Sequence, residues 1–436
     1  MIGAGCAHRG ARMRDGAHGI VQTFERIAVI GLGYIGLPTA AALATNGLSV
    51  VGVDVNVRTV ESVNRGEVPF VEPDLGVAVS GAVGLGRLRA STEVPEADVY
   101  IVAVPTPFTE GHRADLSYIR AATEAIAPKL RGDELVILES TSPPGTTRQL
   151  ADWIRELRPE LAQAGDAPGT GGIGFAHCPE RVLPGRVMIE IVTNDRIIGG
   201  LTPGVAERAA ELYRVFCQGE MIITDAATAE LSKLVENAYR DVNIAFANEL
   251  STICDALGMD VWELIRMANH HPRVNILQPG PGVGGHCIAV DPWFIVSAAP
   301  EQARLIRAAR EINDAKPHHV AERVLAKAER FREPRIACLG LAFKPNIDDL
   351  RESPAIEIVE LLADALPDVT IDAVEPHVDK LPERLAQRAN VVLTPADEAV
   401  EAADIVVLLV DHDAFRSIAA NQLVDKVVYD TRGFWR

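Results

Sequence analysis

The sequence has no pair of cysteines at a two-residue spacing and no grouping of His and Cys at the spacing of zinc ligands. Its six cysteines, Cys6, Cys178, Cys217, Cys254, Cys287 and Cys338, are scattered instead. That scatter argues for a reducing compartment and against a structural metal. Apolar runs are short: none could span a bilayer, and residues 1–24 lack the apolar core of a secretory signal. The expectation is a cytoplasmic protein without a membrane partner, with a loose extension over residues 1–25. Basic charge is also scarce, with 42 Lys and Arg against 60 Asp and Glu, a formal net charge of −18. A general attraction to nucleic acid or anionic lipid is thereby disfavoured, and any anionic ligand must be held by a local basic cluster. At 436 residues the chain is too long for one ordinary core, and two or three domains are expected.

What is present is concentrated in a few punctuated stretches. Pro279-Gly280-Pro281-Gly282-Val283-Gly284-Gly285-His286-Cys287 carries four glycines and two prolines in its first seven residues. Such a run propagates neither a helix nor a central strand, and it lets backbone approach a ligand closely. Cys287 follows directly, as a candidate nucleophile for an electrophilic carbon such as an aldehyde. The plainer alternative is a buried cysteine acting as a small hydrophobe. Cys178 and Cys338, in apolar strand-like runs, and Cys254, on the apolar face of a helical pattern, read as packing.

From Arg26 the chain reads as one βαβ unit. The strand Ile27-Ala28-Val29-Ile30 runs into Gly31-Leu32-Gly33-Tyr34-Ile35-Gly36, a helical run follows to Thr45, and a second strand, Ser49 to Val53, ends at Asp54. These parts suit a dinucleotide, with glycines for the turn and the approach of pyrophosphate, and a carboxylate for a ribose hydroxyl. Asp54 would repel a 2′-phosphate, which favours NAD over NADP, although Arg58 lies nearby. Strand and helix signals then alternate to about residue 225. Runs ending before Pro105-Thr106-Pro107, Glu139-Ser140-Thr141 and Pro179-Glu180-Arg181 place Thr106, Thr141, Glu180 and Arg181 at strand ends, where ligands collect in open parallel sheets; the alternative for each is a turn or cap residue.

Helical periodicity takes over from about Ala229 to Leu257. Leu231, Leu234, Val235, Ala238, Val242, Ala245, Phe246, Leu250 and Ile253 repeat at helical spacing and predict one buried face. Lys233, Asn237 and Arg240 share another face, which is either solvated surface or the wall of a site. A helix of this length also suggests a spine for a dimer. A connector from about Glu301 to Arg330 is expected to be interrupted at Pro317, and α/β signals resume at Arg335. Glu96-Ala97-Asp98-Val99 and Ala402-Ala403-Asp404-Ile405 echo one another before buried strands, which suggests a second sheet of the same type. Its first strand ends in Gly340-Leu341-Ala342-Phe343-Lys344-Pro345, without the full glycine fingerprint, so no second dinucleotide is indicated; Lys344 and Arg351 are candidates for holding phosphate.

Together these stretches resemble the UDP-glucose/GDP-mannose dehydrogenase family, from Arg26 to the C-terminus. The resemblance rests on Gly31 to Gly36, Glu139-Ser140-Thr141, Leu231-Ser232-Lys233 with Asn237, Gly282 to Cys287 with Asp291, and Ala342-Phe343-Lys344 with Arg351-Glu352-Ser353. It implies an α/β fold of two Rossmann-like doubly wound domains joined by a helical dimerisation region with a long central helix. The boundaries expected are 26–225 for the NAD domain, 226–330 for the helical region with the cysteine loop, and 331–436 for a UDP-binding domain. It further implies a homodimer or higher homo-oligomer and a four-electron oxidation of a sugar CH2OH to a carboxylate with two NAD.

In that scheme Cys287 is the nucleophile, Lys233 and Asn237 stabilise oxyanions, Lys233 or a water held by Asp291 takes a proton, and Thr141 and Glu180 position the water or hydroxyl. The resemblance assigns Gly31, Gly33, Tyr34, Ile35, Gly36, Asp54, Arg58, Thr106, Thr141 and Arg351 to the cofactor. To the substrate it assigns Arg181, Val182, Lys233, Asn237, Arg240, His271, Arg273, Gly284, Phe343 and Lys344. Val290 and Arg181-Val182-Leu183-Pro184 depart from the usual UDP-glucose pattern. With His271-Pro272-Arg273-Val274-Asn275 and Cys178-Pro179-Glu180-Arg181-Val182 they resemble the branch acting on UDP-N-acetyl-D-mannosamine, whose product enters surface polysaccharide. The alternatives are the same chemistry on UDP-N-acetylglucosamine or UDP-glucose, or a non-catalytic sensor of NAD or nucleotide sugar.

Overall fold

A computed structural model describes residues 24–109, 111–161, 171–183, 185–285 and 287–436. Residues 1–23, which hold Cys6 and nearly all of the expected extension, lie outside the described residues, as do Pro184 and His286 of the motifs above. The first half builds an eight-stranded sheet of β1 (Arg26–Ile30), β2 (Ser49–Val53), β3 (Leu88–Ser91), β4 (Val99–Val102), β5 (Leu135–Leu138), β6 (Gly174–His177), β7 (Arg196–Gly200) and β8 (Met221–Asp225). Their order across the sheet is β3-β2-β1-β4-β5-β6-β7-β8. A second sheet holds β9 (Ile336–Leu339), β10 (Ile371–Val374), β11 (Val391–Leu393), β12 (Ile405–Leu408) and β13 (Val427–Asp430), in the order β11-β10-β9-β12-β13. Runs such as Val99-Tyr100-Ile101-Val102 and Ile405-Val406-Val407-Leu408 are wholly buried, because helices cover both faces of a parallel sheet.

The two sheets repeat one design, bond for bond. Gly31 and Gly340 turn at φ +97° and +92°, and donate to Val53 O and Val374 O, both at 2.8 Å. Leu32 N–H donates to Asp54 Oδ2 (3.0 Å), as Leu341 N–H does to Glu375 Oε2 (2.8 Å). The sequence echo has the same origin. Asp98 accepts from Arg26 N–H, and Asp404 from Arg335 N–H, each at 2.9 Å. The copies differ at the carboxylate. Asp54 is partly open, whereas Glu375 and His412 are buried and lie 3.1 Å apart. His412 Nδ1 accepts from Asn346 N–H (3.0 Å), so the ring proton sits on Nε2 and is donated to Glu375. His377 brings a third potential ligand atom within 4.8 Å, but that tautomer leaves His412 no free lone pair for a metal.

Three expectations are corrected. The first sheet is not wholly parallel: β6 pairs antiparallel with β7. The intervening helix, Val187–Thr193, is about 10 Å long, too short to carry the chain back to the opposite end of the sheet. Pro317 does not interrupt its helix. Arg304–Ala328 runs through it, and the missing N–H leaves only the Asn313 carbonyl without its helical donor.

The third correction concerns the long helix, Ala226–Leu257, which does not have one apolar face. Leu234, Ala238 and Ala245 are buried with Asp241, Asn248 and Ser251, whereas Leu231, Val235, Phe246 and Ile253 face outward with Tyr239 and Leu257. Hydrophobic spacing marks both sides of this helix, and polar residues occupy part of the inner one. Asp225 caps its start by accepting from Thr228 N–H, and Gly258 ends it at φ +68°.

The first βα turn contains two glycines under opposite constraints. A Cβ on Gly36 would lie 1.9 Å from Gly31 O, while one on Gly33 would meet no atom within 4 Å. Gly36→Ala should therefore cost about 1–3 kcal/mol of stability by overpacking. Gly33→Ala should stay within about 0.5 kcal/mol of the parent. Denaturant unfolding of the two variants checks the contrast, and equal losses would contradict it.

Candidate active site

The glycine loop is flattened by what lies against it. A Cβ on Gly284 would lie 2.6 Å from Glu352 O and 2.7 Å from Phe343 Cβ, and one on Gly282 would lie 2.8 Å from Pro354 Cβ. Gly285 turns at φ +79°, and a Cβ on it would lie 3.0 Å from the Phe343 ring. Only glycine fits there, so the turn seen in the sequence is also a docking surface for the C-terminal domain. Cys287 emerges from this clamp and is the exposed cysteine of the described set; Cys178, Cys217, Cys254 and Cys338 are buried. Cys287 O accepts from Asp291 N–H (2.8 Å), which ties the thiol residue to the start of the Asp291–Ala298 helix.

The long helix forms the opposite wall. Lys233 Nζ donates to Thr141 Oγ1, and Asn237 Nδ2 donates to Asp291 Oδ2 (2.6 Å). Lys233 thus sits between the end of β5 and the thiol loop. One turn earlier, buried Glu230 accepts from Gly145 N–H (2.5 Å), Thr147 N–H (2.6 Å) and the Thr147 hydroxyl (2.6 Å), fixing the turn after Thr141. Thr106 Oγ1 donates to Thr141 O (2.5 Å), so both strand-end threonines meet.

Burial raises the Cys287 thiol above its ordinary value, against the pull of Lys233, Arg351 and Arg240 and with Asp291 adding to the rise. The side chain reaches solvent at its edge while protein surrounds the rest. Burial also raises the Asp291 carboxyl, although Lys233 and Asn237 favour its charge. Such a carboxyl is poised to exchange a proton nearer neutrality than an exposed one.

Glu180 and Arg181 are held differently from the expectation of free site residues. Arg196, at the start of the reversed strand β7, donates to Glu180 Oε2 (2.9 Å), and Arg181 N–H donates to Glu180 Oε1 (2.7 Å). The Arg181 guanidinium pairs with Glu236 (2.7 Å) and reaches Asp195 O. Val182 packs against the core of the first sheet. Arg196 is itself buried and lies over the rings of Tyr213 (4.7 Å) and Phe216 (5.2 Å). Beside it Glu139 accepts from Tyr213 OH (2.6 Å) and Thr39 Oγ1 (3.2 Å), and burial pushes its carboxyl up to about 7. His177, on β6, is pushed down to about 3 by burial and then by Lys233, so it is neutral beside that ammonium. Arg196, Tyr213 and His177 were not anticipated from the sequence. Each lies inside an apolar strand or helix pattern, and only the strand reversal brings Arg196 to Glu180.

The first βα turn fits a dinucleotide. The helix Gly36–Thr45 begins without a side-chain cap at Ile35, and Gly33 opens onto free space beside this N-terminus, whose dipole favours an anion. Asp54 accepts from Leu32 and Asn56 N–H (3.0 and 2.8 Å), Tyr34 stacks on Phe70 (centroids 4.3 Å), and Arg58 is exposed. Arg351 is held in a fork by Asp349 (2.7 Å), and Tyr34 and Cys287 lie near enough to add to the stabilisation of its charge. Lys344 is half-buried with its ammonium 5.7 Å from the Phe343 ring centre, and Arg240 is exposed. His271 and Arg273 lie on an exposed loop, where Arg273 N–H donates to His271 Nδ1 (3.3 Å); no bond of either to Cys287, Lys233 or Asp291 occurs among the described residues.

Known proteins match this chain in sequence and in fold. The NAD-binding, central and UDP-binding domains of the UDP-glucose/GDP-mannose dehydrogenase family match residues 25–217, 227–315 and 337–436. An NDP-N-acetyl-D-galactosaminuronic acid dehydrogenase from Ralstonia nicotianae is 59% identical over 94% of this chain and 96% of its own. A UDP-N-acetyl-D-mannosamine dehydrogenase from Escherichia coli is 54% identical over 95% of this chain and all of its own. Among solved structures, the UDP-N-acetyl-mannosamine dehydrogenase of Staphylococcus aureus superposes with a TM-score of 0.81 at 41% identity, covering 94% of this chain and 95% of that one. No helix among the described residues is long and apolar enough to cross a membrane.

Because burial raises the Cys287 thiol, alkylation by iodoacetamide should accelerate as pH rises, with its midpoint above that of free cysteine. Lys233→Met removes the cation that favours the thiolate and should move the midpoint further up. A downward shift in a folded Lys233→Met protein would contradict the electrostatics described.

Proposed function

This chain belongs to the UDP-glucose/GDP-mannose dehydrogenase family of NAD-dependent nucleotide-sugar dehydrogenases, and from that premise we propose that it oxidises C6 of UDP-N-acetyl-D-mannosamine to the carboxylate. The carrying observation is the placement of Cys287 beside Lys233 and Asp291, clamped by the domain that matches the family's UDP-binding part. The mannosamine-acting relatives from Escherichia coli and Staphylococcus aureus support the sugar assignment. The more similar Ralstonia relative favours a second reading, an N-acetylhexosamine of galacto configuration. The proposed setting is the cytoplasm, in the supply of surface polysaccharide, with domains divided at 26–225, 226–330 and 331–436.

The chemistry supplied by bound NAD is hydride acceptance, once for each two-electron oxidation; Gly31, Gly33, Gly36 and Asp54 would hold it, with Arg351 facing its open side. In the first oxidation Asp291, directly or through an ordered water, takes the proton of the C6 hydroxyl. Cys287 Sγ then adds to the aldehyde carbon, and the thiol proton passes to the new oxygen. In the second oxidation the new hydroxyl gives its proton to Asp291, which has by then passed the first to solvent, and the carbon becomes a thioester; water adds, the C–S bond breaks, and one proton of that water restores the thiol while the other leaves as the carboxylate is released. Lys233 and Asn237 donate to the oxyanions at carbon, each donor worth about 3–4 kcal/mol. Asn237 must first exchange its bond to Asp291 for one to substrate. Arg181, Arg240, His271, Arg273, Phe343 and Lys344 are proposed to hold the nucleotide sugar, and Thr141 and Glu180 to order the site from behind.

The outward stripe of the long helix, Leu231, Val235, Tyr239, Phe246, Ile253 and Leu257, is proposed to pair with a second copy. It follows one side of a 32-residue helix, a contiguous apolar surface of the kind that marks an interface.

With UDP-N-acetyl-D-mannosamine the enzyme should form two NADH per sugar, and UDP-N-acetylgalactosamine, UDP-N-acetylglucosamine and UDP-glucose should turn over more slowly. One NADH per sugar would reduce the reaction to a simple alcohol oxidation, and none with any donor would favour a sensor. Cys287→Ser should fold normally yet lose complete turnover. Separately, Phe246→Glu should shift the particle from dimer to monomer in light scattering, and an unchanged mass would reject the stripe as the seam.

A further inference from the structure

The cysteine loop is anchored at its entry as well as at its exit, and the entry anchor belongs to none of the groups assigned to chemistry. Gly280 N–H donates to Asn248 Oδ1 (2.9 Å), and Asn248 is wholly buried on the inner side of the long helix. Asn248 Nδ2 donates to Asn313 Oδ1 (2.9 Å) on the neighbouring Arg304–Ala328 helix. Asn313 Nδ2 donates in turn to Asp241 Oδ1 (2.8 Å) and to Asp241 O (3.1 Å), and Arg310 pairs with the same carboxylate at 2.6 Å. Asp241, Arg310 and Asn313 are all buried.

The order of donors along this chain is dictated from one end. A carboxamide presents oxygen on one side and NH2 on the other, and by shape alone either orientation fits. An ionised carboxylate only accepts, so Asn313 must turn its NH2 to Asp241 and its oxygen to Asn248. Asn248 must then offer its NH2 to Asn313, which leaves its oxygen facing Gly280 N–H. The charge pair Asp241–Arg310 thereby sets the polarity of every link up to the loop.

The loop needs such an anchor. Gly280, Gly282, Gly284 and Gly285 have the widest backbone freedom of any residue and the most to lose on ordering, so they do not hold a conformation by themselves. Phe343 and Pro354 press on the part nearer the thiol, and Arg432 lies against Gly280 from the C-terminal domain, with Nη1 2.6 Å from where a Cβ would stand. None of these contacts the Gly280 N–H. We propose that Asn248 is a positioning residue for the reacting thiol: it fixes where the 280–287 loop starts, and the Asn313–Asp241 link fixes Asn248. This rests on the reading of Cys287 as the reacting sulfur.

The test compares Asn248→Leu, which removes both bonds, with Asn248→Asp, which in its protonated form keeps an oxygen for Gly280 N–H and an O–H for Asn313 Oδ1, in full-length enzyme shown to be folded by circular dichroism. Two quantities are read: kcat and KM with NAD and the preferred UDP-sugar, and the rate of Cys287 alkylation by iodoacetamide with no sugar present. Asn248→Leu should lower kcat about 10- to 100-fold, as misplacement of a reacting group does, while KM for NAD stays within about twofold. Its alkylation rate should change in parallel, and Asn248→Asp should lose less in both readings.

A residue that merely supports the fold would lower the melting temperature and leave both rates in place. Folded Asn248→Leu enzyme with both rates within about twofold of the parent overturns the proposal, as do equal losses in the two variants. If Asn248→Leu does not fold, Asn313→Ala is read by the same two rates and the same limits. Alkylation needs no substrate, so it stands even if the sugar assignment fails. Full turnover by Cys287→Ser would strike the proposed chemistry and leave the alkylation comparison intact.

Discussion

The site depends on a contact that leaves no room for a side chain. Gly282, Gly284 and Gly285 lie against Pro354, Glu352 and Phe343 so closely that a single added carbon would collide. The thiol at the end of this run is therefore located by the C-terminal domain, although its chemical neighbours, Lys233 and Asp291, belong to the helical region. The proposed reaction centre draws on the first βα turn, the long helix and the C-terminal domain, and this seam is what brings the C-terminal domain to Cys287. A domain displaced by even an ångström or so would carry Cys287 with it, and orientation at that scale governs the rate of such reactions.

Behind the site, the first sheet buries charge to hold its own strand ends. Glu139 and Glu180 share one region with Arg196, whose guanidinium is kept charged by the acids around it despite burial. Two carboxyls and one cation in a low-dielectric setting leave one carboxyl near neutrality, which fits the rise of Glu139 to about 7. Removing Arg196 alone would leave those buried acids without a counter-charge, the costliest way to break such a group. The cation arrives only because β7 runs against β6, so the exception to parallel topology and the stabilisation of the Glu180 turn have one cause.

Much of the fold was legible in the sequence, because the signals were local. The strands with their terminal Asp54, Thr106, Thr141 and Glu180 and the echo at Asp98 and Asp404 follow from short-range patterns. What was not legible depended on direction and pairing. Apolar spacing on the long helix could not say which hydrophobic side faces a core and which faces outward, and Leu231 and Phe246 were placed inward in error. Pro317 reads as a breaker, although a helix whose other bonds are intact can pass through one. Glu180 is visible at a strand end, but its partner Arg196 becomes adjacent only through a reversal that no local pattern reports. Asn248 resembles an ordinary polar residue in a helix until Gly280, 32 residues on, is seen to use it.

The duplicated architecture ends in an asymmetry at Glu375. The carboxylate that in the first copy stands partly open beside the βα turn is, in the second, enclosed by three amides and the imidazole of His412. Restoring glycines after Gly340 would therefore not turn the C-terminal module back into a second redox seat, because its ribose acceptor has become an internal fastener. The module that matches the family's UDP-binding domain thus keeps the frame of a dinucleotide domain while committing its strand-end carboxylate to its own interior.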